Sequence, residues 1–124
     1  MTIIEAITRL DALKFNTYTQ EDKIEWLSRL DSAVKTQIID SHGGADDVTF
    51  NGYDEDTPGN TVLLVPAPYD EVYLRWMEAQ IDYHNGEYDK FNNSIIMYNT
   101  AFDAYQKHYT RTHMPVQRGR RFLF

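Results

Sequence analysis

The chain has 124 residues, no cysteine, 14% aromatic residues and a formal net charge of −7. That length fits one domain with a short arm and is too small for a nucleotide-binding enzyme with a second substrate domain. Without cysteine there are no disulfides, thiolate metal sites, iron–sulfur clusters or cysteine nucleophiles, which suits a reducing compartment, and no apolar run approaches the roughly 20 residues of a membrane helix.

The opening Met1-Thr2-Ile3-Ile4-Glu5 lacks the basic start and apolar stretch of a secretion signal. Thr2 instead can cap a helix over about 3–13, where Ile3, Ile4, Ile7, Leu10 and Leu13 recur near helical spacing. Residues 14–18 read as a connector. Thr19 is a second cap, with Glu21 and Asp22 in the first turn, where the helix dipole favours acids. Ile24, Leu27, Leu30, Val34, Ile38 and Ile39 form the apolar face of a helix over about 20–40, with Trp26 on its flank. His42-Gly43-Gly44 ends it.

Residues 43–60 hold four glycines, one proline and five acids, the composition of a loop. Val48–Phe50 and Thr61–Val65 are β-prone runs on either side of turn signals, which predicts a small two-stranded element. Pro66-Ala67-Pro68 stops the second run, and Asp70 is positioned to cap the next helix.

From there Leu74, Met77, Ile81, His84, Tyr88, Phe91, Ile95, Tyr98, Phe102, Tyr105 and Tyr109 follow at alternating steps of three and four. This seam repeats every 3.5 residues, the period of packed helices. Asn85-Gly86 falls inside it. Either one long helix bends there, or two helices fold into a hairpin. His113-Met114-Pro115 closes the helical part. The chain thus reads as mainly α: a helical domain over 1–115, with a loop and short β element at 43–66, and a basic, aromatic arm over 116–124.

The charge is unevenly spread. Residues 1–39 carry six acids and five bases, and residues 40–89 carry twelve acids and one base, Arg75. After Asp103 there are five bases and no acid. An acidic body argues against wrapping duplex DNA, which needs a basic face. No motif for catalysis or metal binding stands out. Glu-x-x-His and His-Glu-x-x-His are absent, as are Gly-x-Ser-x-Gly and a phosphate-binding glycine loop. Asp54-x-Asp56-x-x-Gly59 resembles half a calcium loop but has Pro58 and Val65 at ligand positions. The four histidines are scattered, and no cofactor is expected. Seven of the nine tyrosines lie from Tyr69 to Tyr109. Tyrosine buries a ring and keeps its hydroxyl wet, so Tyr88, Phe91, Ile95, Tyr98, Phe102, Tyr105 and Tyr109 are a candidate interface as well as a candidate core.

Several strings occur together: Thr17-Tyr18-Thr19, Lys23-Ile24-Glu25-Trp26-Leu27-Ser28-x-Leu30-Asp31, Phe50-x-Gly52-Tyr53-Asp54 and Leu64-Val65-Pro66-Ala67-Pro68-Tyr69-Asp70-x-x-Tyr73. Gln80-Ile81-Asp82-x-x-Asn85-x-Glu87, Asn92-Asn93-Ser94 and Tyr109-x-Arg111 follow. In this order they resemble small phage and prophage structural proteins of Gram-positive bacteria, similar to head–tail connector or head-completion proteins. Phe15 stands where that pattern leads one to expect proline. The resemblance implies a non-enzymatic, mainly helical subunit that forms homo-oligomers on the portal. It also implies docking to portal, neck or tail proteins, in the virion and in the host cytoplasm during assembly, without a membrane or sequence-specific nucleic acid. Arg118, Arg120, Arg121, Phe122 and Phe124 are then a candidate docking arm. An acidic helical regulatory protein of a phage is the alternative.

Overall fold

A computed structural model describes residues 1–42 and 48–113. Thr2 opens helix α1 (Ile3–Leu13) with a reciprocal cap. Its hydroxyl accepts the Glu5 N–H at 3.2 Å, and the Glu5 carboxylate accepts the Thr2 N–H at 2.9 Å. The loop satisfies two more of the helix's free donors: Ile3 N–H donates to the Thr61 carbonyl and Ile4 N–H to that of Gly59. Thr19 starts α2 (Gln20–Val34) by accepting the Asp22 N–H at 3.1 Å. Lys23 on α2 is buried, and its ammonium lies 2.7 Å from Asp11 of α1. Burial alone would raise the Asp11 pKa. Hydrogen bonds from Lys23 and Asn16, and the charge of Lys23, outweigh it and hold the pKa below the usual value.

The second helix is not one α-helix to residue 40. It widens into a π turn at Lys35–Ile39. The larger number of residues per turn lets Val34, Ile38 and Ile39 all face inward, and all three are buried. Trp26 lies on the flank of that apolar face, where it lines an open pocket. It is buried, and its carbonyl accepts the Trp76 indole N–H at 2.8 Å.

The expected two-stranded element is not seen as a sheet among the described residues. Thr2 and Val62 form one isolated antiparallel bridge. The physical reason lies in where Leu64 and Val65 send their N–H groups. Leu64 donates to Asp31 Oδ2 at 3.1 Å, and Val65 donates to the Tyr73 hydroxyl at 2.7 Å. The run is extended and its Leu63 and Val65 side chains are buried. Its first half pairs with the chain start, Leu63 N–H donating to the Met1 carbonyl, and the N–H groups of Leu64 and Val65 in its second half are satisfied by side chains instead of by a strand.

Asp31 is the hub of this arrangement. It is fully buried on α2. Oδ1 accepts the Tyr73 hydroxyl at 2.6 Å, and Oδ2 accepts the Tyr53 hydroxyl at 2.5 Å as well as the Leu64 N–H. Burial raises the Asp31 pKa, because three neutral donors only partly offset the loss of water. Both tyrosine hydroxyls are pushed up by burial and by the Asp31 charge, so they stay protonated donors.

Asp70 precedes α3 (Glu71–His84) but makes no capping bond with its side chain. At the far end, Gly86 decides between the two readings of the long seam. Its φ is +74°, the left-handed region. Glu87 N–H donates to the Asp82 carbonyl and Gly86 N–H to that of Tyr83, the paired bonds of a Schellman cap. The chain reverses and returns as α4 (Tyr88–Thr112), which packs along α3. The seam therefore closes on itself as a hairpin.

Two outcomes follow from these geometries. Gly86→Ala should lower stability by about 1–2 kcal/mol through backbone strain alone, since no atom lies within 4 Å of the added Cβ; urea unfolding measures it. Asp31→Ala should cost about 3–5 kcal/mol, because it strands buried donors, and Tyr73→Phe about 1–3. The raised Asp31 pKa has a definite sign. Between its ordinary value near 3.8 and the higher folded value, the native state holds the extra proton, so stability from this group falls as pH rises through that window. Asp31→Asn should lack that slope in pH-dependent unfolding. Asp11 works oppositely: its contribution is present above the ordinary carboxylate pKa and is lost as pH falls through the lowered one.

Candidate docking surface

The seam residues occupy different places. Tyr105 and Tyr109 are buried in the core. Phe91, Ile95, Tyr98 and Phe102 are half-buried. Tyr98 packs on Trp76 at 4.9 Å between ring centroids and on Phe102 at 5.8 Å. Burial pushes Tyr98 and Tyr105 up to about 12, the neighbouring Tyr109 and Asp31 adding to the effect at Tyr105. Tyr88 is exposed. Six of the seven thus pack within the chain, and Tyr88 points out. The proposed arm residues Arg118, Arg120, Arg121, Phe122 and Phe124 lie outside the described residues.

The turn of the α3–α4 hairpin gathers exposed apolar groups. Tyr83 and Tyr88 approach at 6.1 Å, and Tyr83 meets Phe91 at 5.4 Å. Asp82 anchors the connector after α1 to the same place. It is fully buried; Ser94 of α4 donates to its Oδ2, and the Lys14 ammonium lies 2.6 Å from its Oδ1. Oδ1 receives no well-aligned hydrogen bond, so the Lys14 charge compensates it through space. Holding Lys14 inward leaves its neighbours Leu13 and Phe15 exposed, Phe15 at 90%. Phe15, Leu13, Tyr83 and Tyr88 are four of the eight large apolar side chains left exposed among the described residues. Tyr83 and Tyr88 meet each other, and Leu13 and Phe15 flank the Lys14 that reaches Asp82, the residue before Tyr83.

Beside them lies an open pocket of about 210 Å³, lined by Tyr18, Asp22, Glu25, Trp26, Arg29, Gln80 and His84. Tyr18 meets Trp26 edge-on at 5.4 Å, and His84 stacks parallel to Trp26 at 5.8 Å. The Tyr18 hydroxyl donates to Asn85 at 2.5 Å, which ties this wall to the hairpin turn. Glu25 is paired with Arg29 at 3.3 Å, which leaves the Asp22 carboxylate beside the aromatic rings to suit the planar cation of an arginine, or a lysine with its apolar stem. Sequence reading missed this pocket because its residues come from three separate segments. It missed Asp31 and Asp82 too; Asp31 sits at an apolar-face position of its helix, which is a readable signal, whereas Asp82 continues the polar stripe of Glu71, Arg75 and Glu78 and gives none.

Candidate chemistry does not converge. His42 is buried with Nδ1 2.6 Å from the Ile38 carbonyl, His108 stacks on Tyr69 at 4.7 Å, and His113 stacks on Tyr109 at 3.7 Å. Asp54, from the half calcium loop, accepts the Asp56 N–H and the Thr57 hydroxyl within its own turn. Among the described residues, no group of three or more histidines and carboxylates could hold a metal ion, and no helix is long and apolar enough to cross a membrane. No protein-family model, curated protein or solved structure matches this chain.

The exposed group differs from the seam in what it does for folding. Phe15→Ser and Tyr88→Ser should each change unfolding free energy by less than about 0.5 kcal/mol. Phe102→Ala and Tyr105→Ala, from the packed side of α4, should cost several-fold more in the same urea titration.

Proposed function

We propose that this protein is a structural adaptor that acts by docking to other proteins, as a head–tail connector subunit of a phage assembled on the portal. The observation that carries the docking role is the exposure of Leu13, Phe15, Tyr83 and Tyr88 on the two segments joined by the Lys14–Asp82 ion pair, with an aromatic pocket formed by Tyr18, Trp26 and His84 next to Tyr83. An apolar centre flanked by charge is the composition of a protein interface. The buried polar groups at Asp31 and Asp82 are bound within the fold and hold this surface in place. The assignment to a phage neck rests on the sequence resemblance, and an acidic surface would keep a passing genome from sticking.

Phe15 and Tyr88 bear the docking energy, and Asp22 receives a basic side chain of the partner. Mixing the purified protein with portal rings and following co-sedimentation tests this. The wild type should co-sediment, Phe15→Ser with Tyr88→Ser should weaken binding at least about tenfold, as expected for loss of anchor residues, and raised salt should weaken it further. Wild-type protein that ignores the portal would sink the neck assignment.

A further inference from the structure

The outer face of α4, turned away from α3, carries a second surface that nothing in the docking role uses. At 100° per residue, Asp89, Asn93, Ile96, Met97, Thr100, Ala104, Lys107 and Arg111 fall within one stripe, opposite Phe91, Tyr98, Phe102 and Tyr109. Every residue of the stripe is exposed, Ile96 at 60% and Met97 at 50%. Shallow grooves run along it beside Ile96 and Thr100 and beside Lys107 and Arg111.

We propose that a second copy of this chain covers this face, with the two α4 helices antiparallel about a two-fold axis at Thr100. The charges and sizes along the stripe fit that occupant. Thr100 is the midpoint between Asp89 and Arg111. An antiparallel partner therefore sets Asp89 of each copy against Arg111 of the other, twice by symmetry. Neither residue has an ion-pair partner among the described residues. The same operation sets Ile96 against Ala104, large against small, on both sides of the axis, and brings Asn93 to Lys107. A parallel partner would set Asp89 against Asp89 and Arg111 against Arg111. Antiparallel packing also opposes the two helix dipoles favourably. The matched span of 89–111 is roughly 33 Å at 1.5 Å per residue. The apolar centre is small, so association belongs in the micromolar range, where local concentration in an assembly controls it. The stripe shares no residue with the docking surface and its centre at Ile96 and Thr100 lies two or more turns along α4 from Tyr88, so the pairing does not depend on portal docking.

Sedimentation velocity of the full chain across the micromolar range tests the proposal. A monomer–dimer equilibrium is expected. Ile96→Asp should abolish it while leaving circular dichroism and unfolding unchanged, because Ile96 is exposed. Arg111→Asp should weaken it about tenfold by setting acid against acid, and Asp89→Arg combined with Arg111→Asp should restore it. Thr100→Cys, the only cysteine in such a chain, should be joined to its copy by a short bis-maleimide, and Thr36→Cys on the π turn after α2 should not. Phe15→Ser should still dimerise, which separates this surface from the docking one. A monomer at the highest concentration, an Ile96→Asp dimer, or a double reversal that fails to restore pairing would overturn the proposal.

Discussion

The carboxylate of Asp31 is the constraint around which the rest is arranged. A fully buried charge without a cation is costly, and here three donors offset part of that cost. They come from the loop at Tyr53, the extended run at Leu64 and helix α3 at Tyr73. Three segments distant in sequence are thus held to α2 by one side chain. The Tyr73 hydroxyl also accepts the Val65 N–H, so the same network fixes the run that leads into α3. Moving any of these segments would leave a buried polar group without a partner.

From that hub the organisation extends outward. With α3 fixed, the Schellman cap at Gly86 returns α4 along it, and the aromatic seam is consumed in pairing the two helices. Asp82 plays a smaller version of the Asp31 role at the hairpin end, gathering Lys14 and Ser94. Lys14 is drawn inward while its neighbours Leu13 and Phe15 face water. α4 contributes twice, since one face completes the core and the other stays free.

Local signals were legible where their chemistry is local. The caps at Thr2 and Thr19, the apolar face of α2 and the 3.5-residue seam all depend on neighbours within a few residues. The β-prone run Thr61–Val65 misled for a physical reason. Its composition reports an extended, half-buried backbone, which it has, but composition is silent about whether a strand or a side chain accepts its N–H groups. Asp31 looked like one more helix acid, although its place between Leu27, Leu30 and Val34 puts it on the apolar face. The seam itself was ambiguous because packing inside a chain and packing between chains demand the same residues.

The sequence alone determined the mainly helical class, the starts of the first two helices at Thr2 and Thr19, the exclusion of cysteine chemistry, and the split between an acidic body and a basic end, because these follow from residue type and short spacing. Only the tertiary structure decided that the seam folds back at Gly86, since both a bend and a cap satisfy the same heptad pattern and the left-handed backbone at one residue selects between them. It also decided which hydrophobic residues are core and which are surface. Burial depends on what long-range partners such as Asp31 and Asp82 bring together, and no local pattern records that.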